Sequence, residues 1–149
     1  MQSATENSDP RQGSARIGRL IMKLRRLERQ PHHFGAAGCL TPSEIHTIDA
    51  IGTGGGMLMS ELATRLGITK GAVTQLVTRL EDKACVQRRS HATDSRATLV
   101  SLSTKGEQAY LAHRQLNQKF YERLGAQLTA QEIAVFEKCV DIFCEVLDE

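Results

Sequence analysis

The sequence predicts a mainly α fold carrying one small β-ribbon, and three observations lead to it. Six stretches place apolar residues at the 3.6-residue period of an amphipathic helix, and two short stretches after residue 84 alternate with period two. Gly, Pro or N-capping residues separate nearly all of these stretches. With 149 residues and 40% apolar content, the chain has room for one domain with a real core.

Residues 1–13 are polar, contain Pro10 and Gly13 and lack periodicity, so they are expected to form a flexible N-terminal arm, with residues 14–149 as a single domain. From Ser14 a helix is expected: Ile17, Leu20, Ile21, Leu24 and Leu27 make one stripe, and Arg16, Arg19, Lys23 and Arg26 lie mostly off it. It ends before Pro31, and residues 32–40 read as a loop. Thr41, Pro42 and Glu44 have the order of a capped helix start, and Ile45, Ile48 and Ile51 form the buried side of that helix. The glycine-rich residues 52–56 are a connection: no Gly-Lys-Ser/Thr follows and no strand precedes, as a phosphate-binding loop would need.

A helix from about Ser60 to Leu66 turns Leu62, Ala63 and Leu66 inward and stops at Gly67. Thr69 caps another that runs to about Ala84, so two helices are joined by a turn of three or four residues containing Gly. That is the spacing of a helix-turn-helix. On the second helix Val73, Leu76, Val77 and Leu80 form a narrow apolar stripe. The opposite face presents Lys70, Gly71, Thr74, Gln75, Thr78 and Arg79, with no acid before Glu81. Solvated faces mix both charge signs, whereas these side chains can reach base edges: Gln pairs with adenine, Lys and Arg with guanine, and Thr offers a hydroxyl and a methyl.

Residues 85–89 and 97–102 then alternate as a two-stranded ribbon around a loop from Ser90 to Arg96. A helix-turn-helix followed at once by such a ribbon is a winged helix. Its tip can reach a minor groove, where an arginine is drawn by the negative potential, while Arg88 and Arg89 suit phosphates, which position without reading sequence. The fold class is therefore mainly α with a small β-wing: a winged helix-turn-helix DNA-binding domain, about residues 41–106, flanked by helices at about 14–30 and 104–149.

Ser103 caps a helix to about Leu124, and Thr129 with Glu132 is a capping box for the last one. That helix carries Ile133, Val135, Phe136, Cys139, Val140, Ile142, Phe143, Val146 and Leu147, which is more than one apolar stripe. Two apolar faces need two partners, so a second subunit is expected to cover one.

Composition narrows the function. Aromatic residues are 4% with no Trp, which argues against stacking platforms for RNA or single strands. Residues 60–100 carry seven Lys/Arg against four Asp/Glu, and residues 130–149 one Lys against six acids, so the middle suits a polyanion and the tail does not. With no apolar run long enough for a membrane span and no signal-peptide core, a cytoplasmic protein without a membrane partner is expected. Cys39, Cys85, Cys139 and Cys144 have no CxxC spacing, and most read as small buried apolar residues. There is no nucleophile elbow, HExxH or paired-carboxylate motif, so an enzyme is not expected.

The ordered set Ser60-Glu61-Leu62-Ala63, Leu66-Gly67, Val77-Thr78-Arg79-Leu80-Glu81, Val86 with Arg88-Arg89, Asp94-Ser95-Arg96, and Leu99-Val100-Ser101-Leu102 with Lys105-Gly106 resembles the MarR family of bacterial transcription regulators. The match is close over about residues 41–110. The resemblance implies a homodimer on a pseudo-palindromic double-stranded DNA operator, acting as a ligand-responsive repressor. The second helix of the pair, from Thr69, would enter the major groove, Arg96 the minor groove, and Asp94 would hold the wing's shape. Gly71 and Gln75 stand where the family often has Ser and Arg, and Ala84 where Gly is frequent.

The resemblance also implies a small lipophilic or phenolic effector, lodged near Ile45, His46, Asp49, Tyr110 and His113 between the dimerisation helices and the winged helix. No cofactor is implied. Some members sense zinc at segments that here contain His46 and His113, with Cys39, His32, His33 and Glu44 nearby; without a close ligand pair, no metal site is assigned. A metal- or redox-sensing regulator, the latter through Cys39, and a winged-helix protein-interaction module are the alternatives.

Overall fold

The computed structural model describes residues 9–148, and residues 1–8 of the expected arm lie outside them. The elements run α1 (Pro10–Leu27), β1 (His32–His33), a 3-10 turn (Gly35–Ala37), β2 (Cys39–Leu40), α2 (Pro42–Ile51), β3 (Met57–Leu58), α3 (Met59–Leu66), α4 (Lys70–Asp82), β4 (Val86–Ser90), β5 (Thr98–Leu102), α5 (Thr104–Gly125) and α6 (Ala130–Leu147). The mainly α architecture with a small sheet is as the sequence predicts.

The core lies inside the winged helix. Ile48 of α2, Leu62 of α3, Leu80 of α4 and Val100 of β5 are fully buried and pack with Val77, Val86 and Ala109. Each such aliphatic side chain contributes about 1.5–3 kcal/mol by leaving water. Thr41 caps α2: its Oγ1 accepts from the Glu44 N–H, and the Glu44 carboxylate accepts from the Thr41 N–H at 2.8 Å, closing the expected capping box. Thr69, Ser103 and Thr129 cap α4, α5 and α6 in the same way, each accepting from a backbone N–H three residues on.

Gly67, at φ 64° and ψ 31°, ends α3 in the left-handed conformation, and only three residues separate α3 from α4. Gly106 is required by contact: a Cβ there would lie 2.0 Å from the Cys85 carbonyl oxygen, so its absence lets α5 leave the wing directly against the end of α4.

Four expectations need correction. α1 begins at Pro10, not Ser14, because Asp9 accepts from the Arg11 N–H at 3.0 Å and Pro occupies the first helical position, where no N–H is required. Residues 32–40 are not a plain loop: His32 pairs with Leu40 and His33 with Cys39, a ribbon held down by buried Phe34 and Leu40. Met57–Leu58 is a third strand, paired with β5 at Val100 and Leu99, giving the antiparallel order β3-β5-β4. Two residues are too few to show a period, so only the tertiary partner declares the strand.

The fourth concerns the cysteines. Cys85 is buried, but Cys39, Cys139 and Cys144 are exposed in the single chain. Cys39 is the outward residue of β2, and for Cys139 and Cys144 the cause is general to the flanking helices: α1 and α6 bury none of their residues, and α5 buries only Gly106 and Ala109. Phe120 at 71%, Leu147 at 67% and Met22 at 66% exposure are among the large apolar side chains left in solvent.

Candidate nucleic-acid interface

Helix α4 divides as its sequence requires. Val73, Leu76, Val77 and Leu80 are buried, while Thr69, Lys70, Gly71, Thr74, Gln75, Thr78 and Arg79 are all exposed on the other side. The two threonine hydroxyls donate back along the helix, Thr74 to the Lys70 carbonyl at 2.9 Å and Thr78 to the Thr74 carbonyl at 2.8 Å. Neither hydroxyl proton is therefore free to donate outward. Lys70, Gln75 and Arg79 supply the donors on this face.

The wing is organised by Asp94. Its Oδ1 accepts from the Arg96 backbone N–H at 2.9 Å, and the Ala97 N–H donates to the Asp94 carbonyl at 3.1 Å, which folds the tip into a local turn. The Arg96 side chain is in none of the ion pairs found among the described residues, so its charge is carried forward on a shaped loop. Between the tip and α4 lies a cleft of about 330 Å³, into which Lys70, Thr74, Arg88 and Arg96 converge. Ser60, at the start of α3, also lines it. Nothing local in the sequence links Ser60 to α4, because it lies in another helix, and only the turn at Gly67 brings the two helices together.

The adjacent arginines of β4 part company. Strand alternation sends Arg89 outward and Arg88 to the face shared with buried Val86. There the Arg88 guanidinium reaches back to α4: Nη2 donates to Thr78 Oγ1 at 2.6 Å and, at 3.4 Å, to the Thr74 carbonyl, and Nε lies 3.3 Å from Glu81 Oε2. Of the two arginines expected to suit phosphates, Arg89 is exposed and Arg88 is engaged by α4.

Arg79 is 55% exposed and its Nε lies 4.0 Å from Glu44 Oε1, a long contact at the limit of an ion pair. The firm partner of Glu44 is Lys83, whose Nζ lies 2.7 Å from Oε2 and also donates to the Cys39 carbonyl at 3.1 Å. Burial pushes the Glu44 carboxyl up, but the Lys83 hydrogen bond, the Thr41 N–H and the Lys83 charge outweigh it, so its pKa lies below the ordinary value. Burial raises the Cys85 thiol, with Lys105 and Lys83 only partly opposing, which leaves it protonated and inert.

The residues expected to line an effector site are only partly together. Ile45 is 4% exposed and belongs to the core, whereas His46, Asp49 and His113 surround one another at the junction of α2 and α5. His113 Nδ1 lies 3.7 Å from Asp49 Oδ1, and its ring is edge-on to Phe34 with centroids 6.0 Å apart. Tyr110, one turn earlier, lies under the Arg114 guanidinium at 5.1 Å. Glu44 is engaged by Lys83, and among the described residues no three His, Cys, Asp or Glu side chains converge as metal ligands would.

Comparison with known proteins agrees with this geometry. The MarR family profile matches residues 40–97, the span from α2 through the wing tip. The chain is 28% identical over 123 residues to the multiple antibiotic resistance protein MarR of Escherichia coli, covering 81% of this chain and 85% of that protein. It is 25% identical over 130 residues to an HTH-type transcriptional regulator of Mycobacterium bovis, covering 87% and 91%. Among solved structures, Streptococcus pneumoniae FabT in complex with DNA superposes with a TM-score of 0.79 at 23% identity, over 94% of this chain and 98% of that one. Apo MarR of Escherichia coli superposes at 0.63 and 25% identity, over 85% and 96%. Residues 40–97 thus match the MarR family, and the helix-turn-helix, wing and flanking helices follow in the same order as in these winged helix-turn-helix transcriptional regulators.

Proposed function

We propose that this regulator works as a cytoplasmic homodimeric repressor on a pseudo-palindromic duplex, with α4 in the major groove and Arg96 in the adjoining minor groove. The observation that carries the reading is the convergence of Lys70 and Arg96 on one cleft beside an exposed helix face without an acid from Thr69 to Leu80. That arrangement suits a backbone flanked by two grooves. The relative FabT, of the same fold, is described in complex with DNA. Two α4 helices about one turn of duplex apart, roughly 34 Å, would read successive half-sites.

Dimerisation is supported by the charge pattern of the flanking helices. Helix α1 holds six cations and no acid, and Arg16, Arg19, Lys23 and Arg26 recur at helical spacing beside its apolar stripe. Helix α6 holds four acids and one lysine, and Glu137, Asp141, Glu145 and the following Asp148 recur likewise. Among the described residues, no ion pair engages either stripe within the chain. Complementary stripes beside uncovered apolar faces suit pairing between copies, with Cys139, Phe136 and Leu147 covered in the process.

An effector would lodge at the α2–α5 junction. The buried Nδ1 of His113 has no hydrogen-bond partner and offers an anchor for the hydroxyl of a phenolic ligand beside Phe34. The test of the whole reading is fluorescence anisotropy with a duplex selected by the protein from a random pool. Binding should weaken steeply with salt, and footprints should show two half-sites. Binding that is indifferent to salt would sink the proposal. A protein-interaction module has no reason to show this dependence on duplex DNA.

A further inference from the structure

We infer that Arg88 is a positioning residue that braces the wing against the recognition helix and sets sequence discrimination, instead of adding a phosphate contact. The inference rests on the DNA-binding reading and concerns which arginine does which work within it. Thr74, Thr78 and Glu81 fall at i, i+4 and i+7 on α4, and the Arg88 guanidinium touches all three. The hydrogens are consistent along the chain of contacts: Arg88 donates to the Thr78 hydroxyl, which donates to the Thr74 carbonyl. Nη2 makes the hydrogen bonds, while Nε makes none and lies against the Glu81 carboxylate as an ion pair. A planar guanidinium spans the hydroxyl and the carboxylate at once, which an ammonium on a single flexible stem cannot.

The placement matters because, beyond the apolar core that Val86 and Val100 share with α4, the side-chain hydrogen bonds and ion pairs found between α4 and the ribbon strands among the described residues are those of Arg88. Arg96 is presented at the tip of a two-stranded ribbon, and Gln75 on the exposed face of α4. Arg88 pairs with Val100 in the ribbon, at a residue fixed in the core, and its far end grips the middle of α4. Their relative orientation therefore passes through this side chain. Glu81, the first acid on α4, is neutralised by the same contact and so does not repel a nearby backbone. With Arg88 only 30% exposed, a phosphate would have to pull it from three partners already made.

The test compares binding to the selected duplex with binding to a scrambled duplex of the same length and composition, for wild type, Arg88→Lys, Glu81→Gln and the double variant. The expected result for Arg88→Lys is a selected-to-scrambled affinity ratio lowered about tenfold, with affinity and salt slope on the scrambled duplex within twofold of wild type. Glu81→Gln should lower the ratio similarly, and the double variant should be no worse than either single, because one contact is being broken in each case. Glu81→Gln is an isosteric change at a partly exposed position, and it keeps the test decisive should Arg88→Lys lower stability. Ratios within twofold of wild type for both single variants overturn the brace, as does a Glu81→Gln variant that tightens both duplexes equally. Wild-type protein that binds neither duplex overturns the DNA-binding reading itself, which is a separate and distinguishable failure.

Discussion

Lys83 Nζ lies 2.7 Å from Glu44 Oε2, so the last turn of the recognition helix is clamped to the first turn of α2 by a carboxylate that is only 2% exposed. The same carboxylate closes the capping box on Thr41, and one group therefore holds both a helix start and a helix end. Replacing it with alanine should leave the Thr41 N–H and the Lys83 ammonium without partners. We expect Glu44→Ala to cost about 2–3 kcal/mol, toward the low end for a buried pair because Lys83 is partly solvated. Chemical denaturation measures it.

The same group sets a pH dependence. Its folded pKa lies below the ordinary 4.5, so its contribution is fully present above about that value and is lost as pH falls through 4.5 toward the lower folded pKa. Acid titration of stability should therefore show a drop below pH 4.5 that is shallower in Glu44→Gln, which cannot titrate there. An identical acid limb in both proteins would exclude the clamp as its source.

Ala84 carries φ 57°, the left-handed conformation that a Cβ disfavours, and it is the one described residue other than glycine with positive φ. It terminates α4, with its N–H on the Glu81 carbonyl and the Cys85 N–H on Leu80. Ala84→Gly should relieve the strain, and after the added chain entropy of the unfolded state is subtracted a gain of about 1 kcal/mol should remain. A lower melting temperature would contradict it.

Arg96 and Gln75 should fail in different ways. Arg96→Ala should weaken binding across sequences and flatten the logarithmic salt slope by about one unit, because one cation no longer displaces counterions. Gln75→Ala should leave the slope unchanged and redistribute base preference at one position of each half-site, at about 1–3 kcal/mol for the preferred base. Competition among duplexes that differ at one position reads both effects.

The exposed apolar faces give the assembly prediction. Phe136→Asp places a charge among Val135, Val140 and Phe143 on α6 and should shift sedimentation from dimer to monomer while the winged-helix core stays folded. Arg19→Glu with Lys23→Glu should weaken the dimer less, and Asp141→Lys with Glu145→Lys should restore part of the loss if the two stripes face one another across the interface. A dimer indifferent to both pairs would separate the apolar contribution from the electrostatic one.

Much of this architecture was legible because its signals are local. Thr41 with Glu44 and Thr129 with Glu132 announced helix starts that the structure reproduces, and the stripe Val73, Leu76, Val77 and Leu80 marked the buried side of α4 and hence the exposed one. The start of α1 lies four residues before the apolar periodicity predicts for a local reason of another kind: with Asp9 as its cap, Pro10 begins a helix. The ribbon at His32–Leu40 and the strand at Met57–Leu58 were not legible, because two residues have no period and their pairing depends on a partner elsewhere in the chain.

From the order of residues alone came the helix-turn-helix, the ribbon behind it and the acid-free face of α4, all properties of periodicity and capping within about fifteen residues. Tertiary structure alone decided what the side chains do once there. It turned Arg88 onto Thr78 and Glu81 while its neighbour Arg89 stayed in solvent, buried Glu44 against Lys83 thirty-nine residues away, and brought His46 and His113 together. A charged side chain's partner is set by which faces meet in the packed domain, and local sequence carries no record of that meeting.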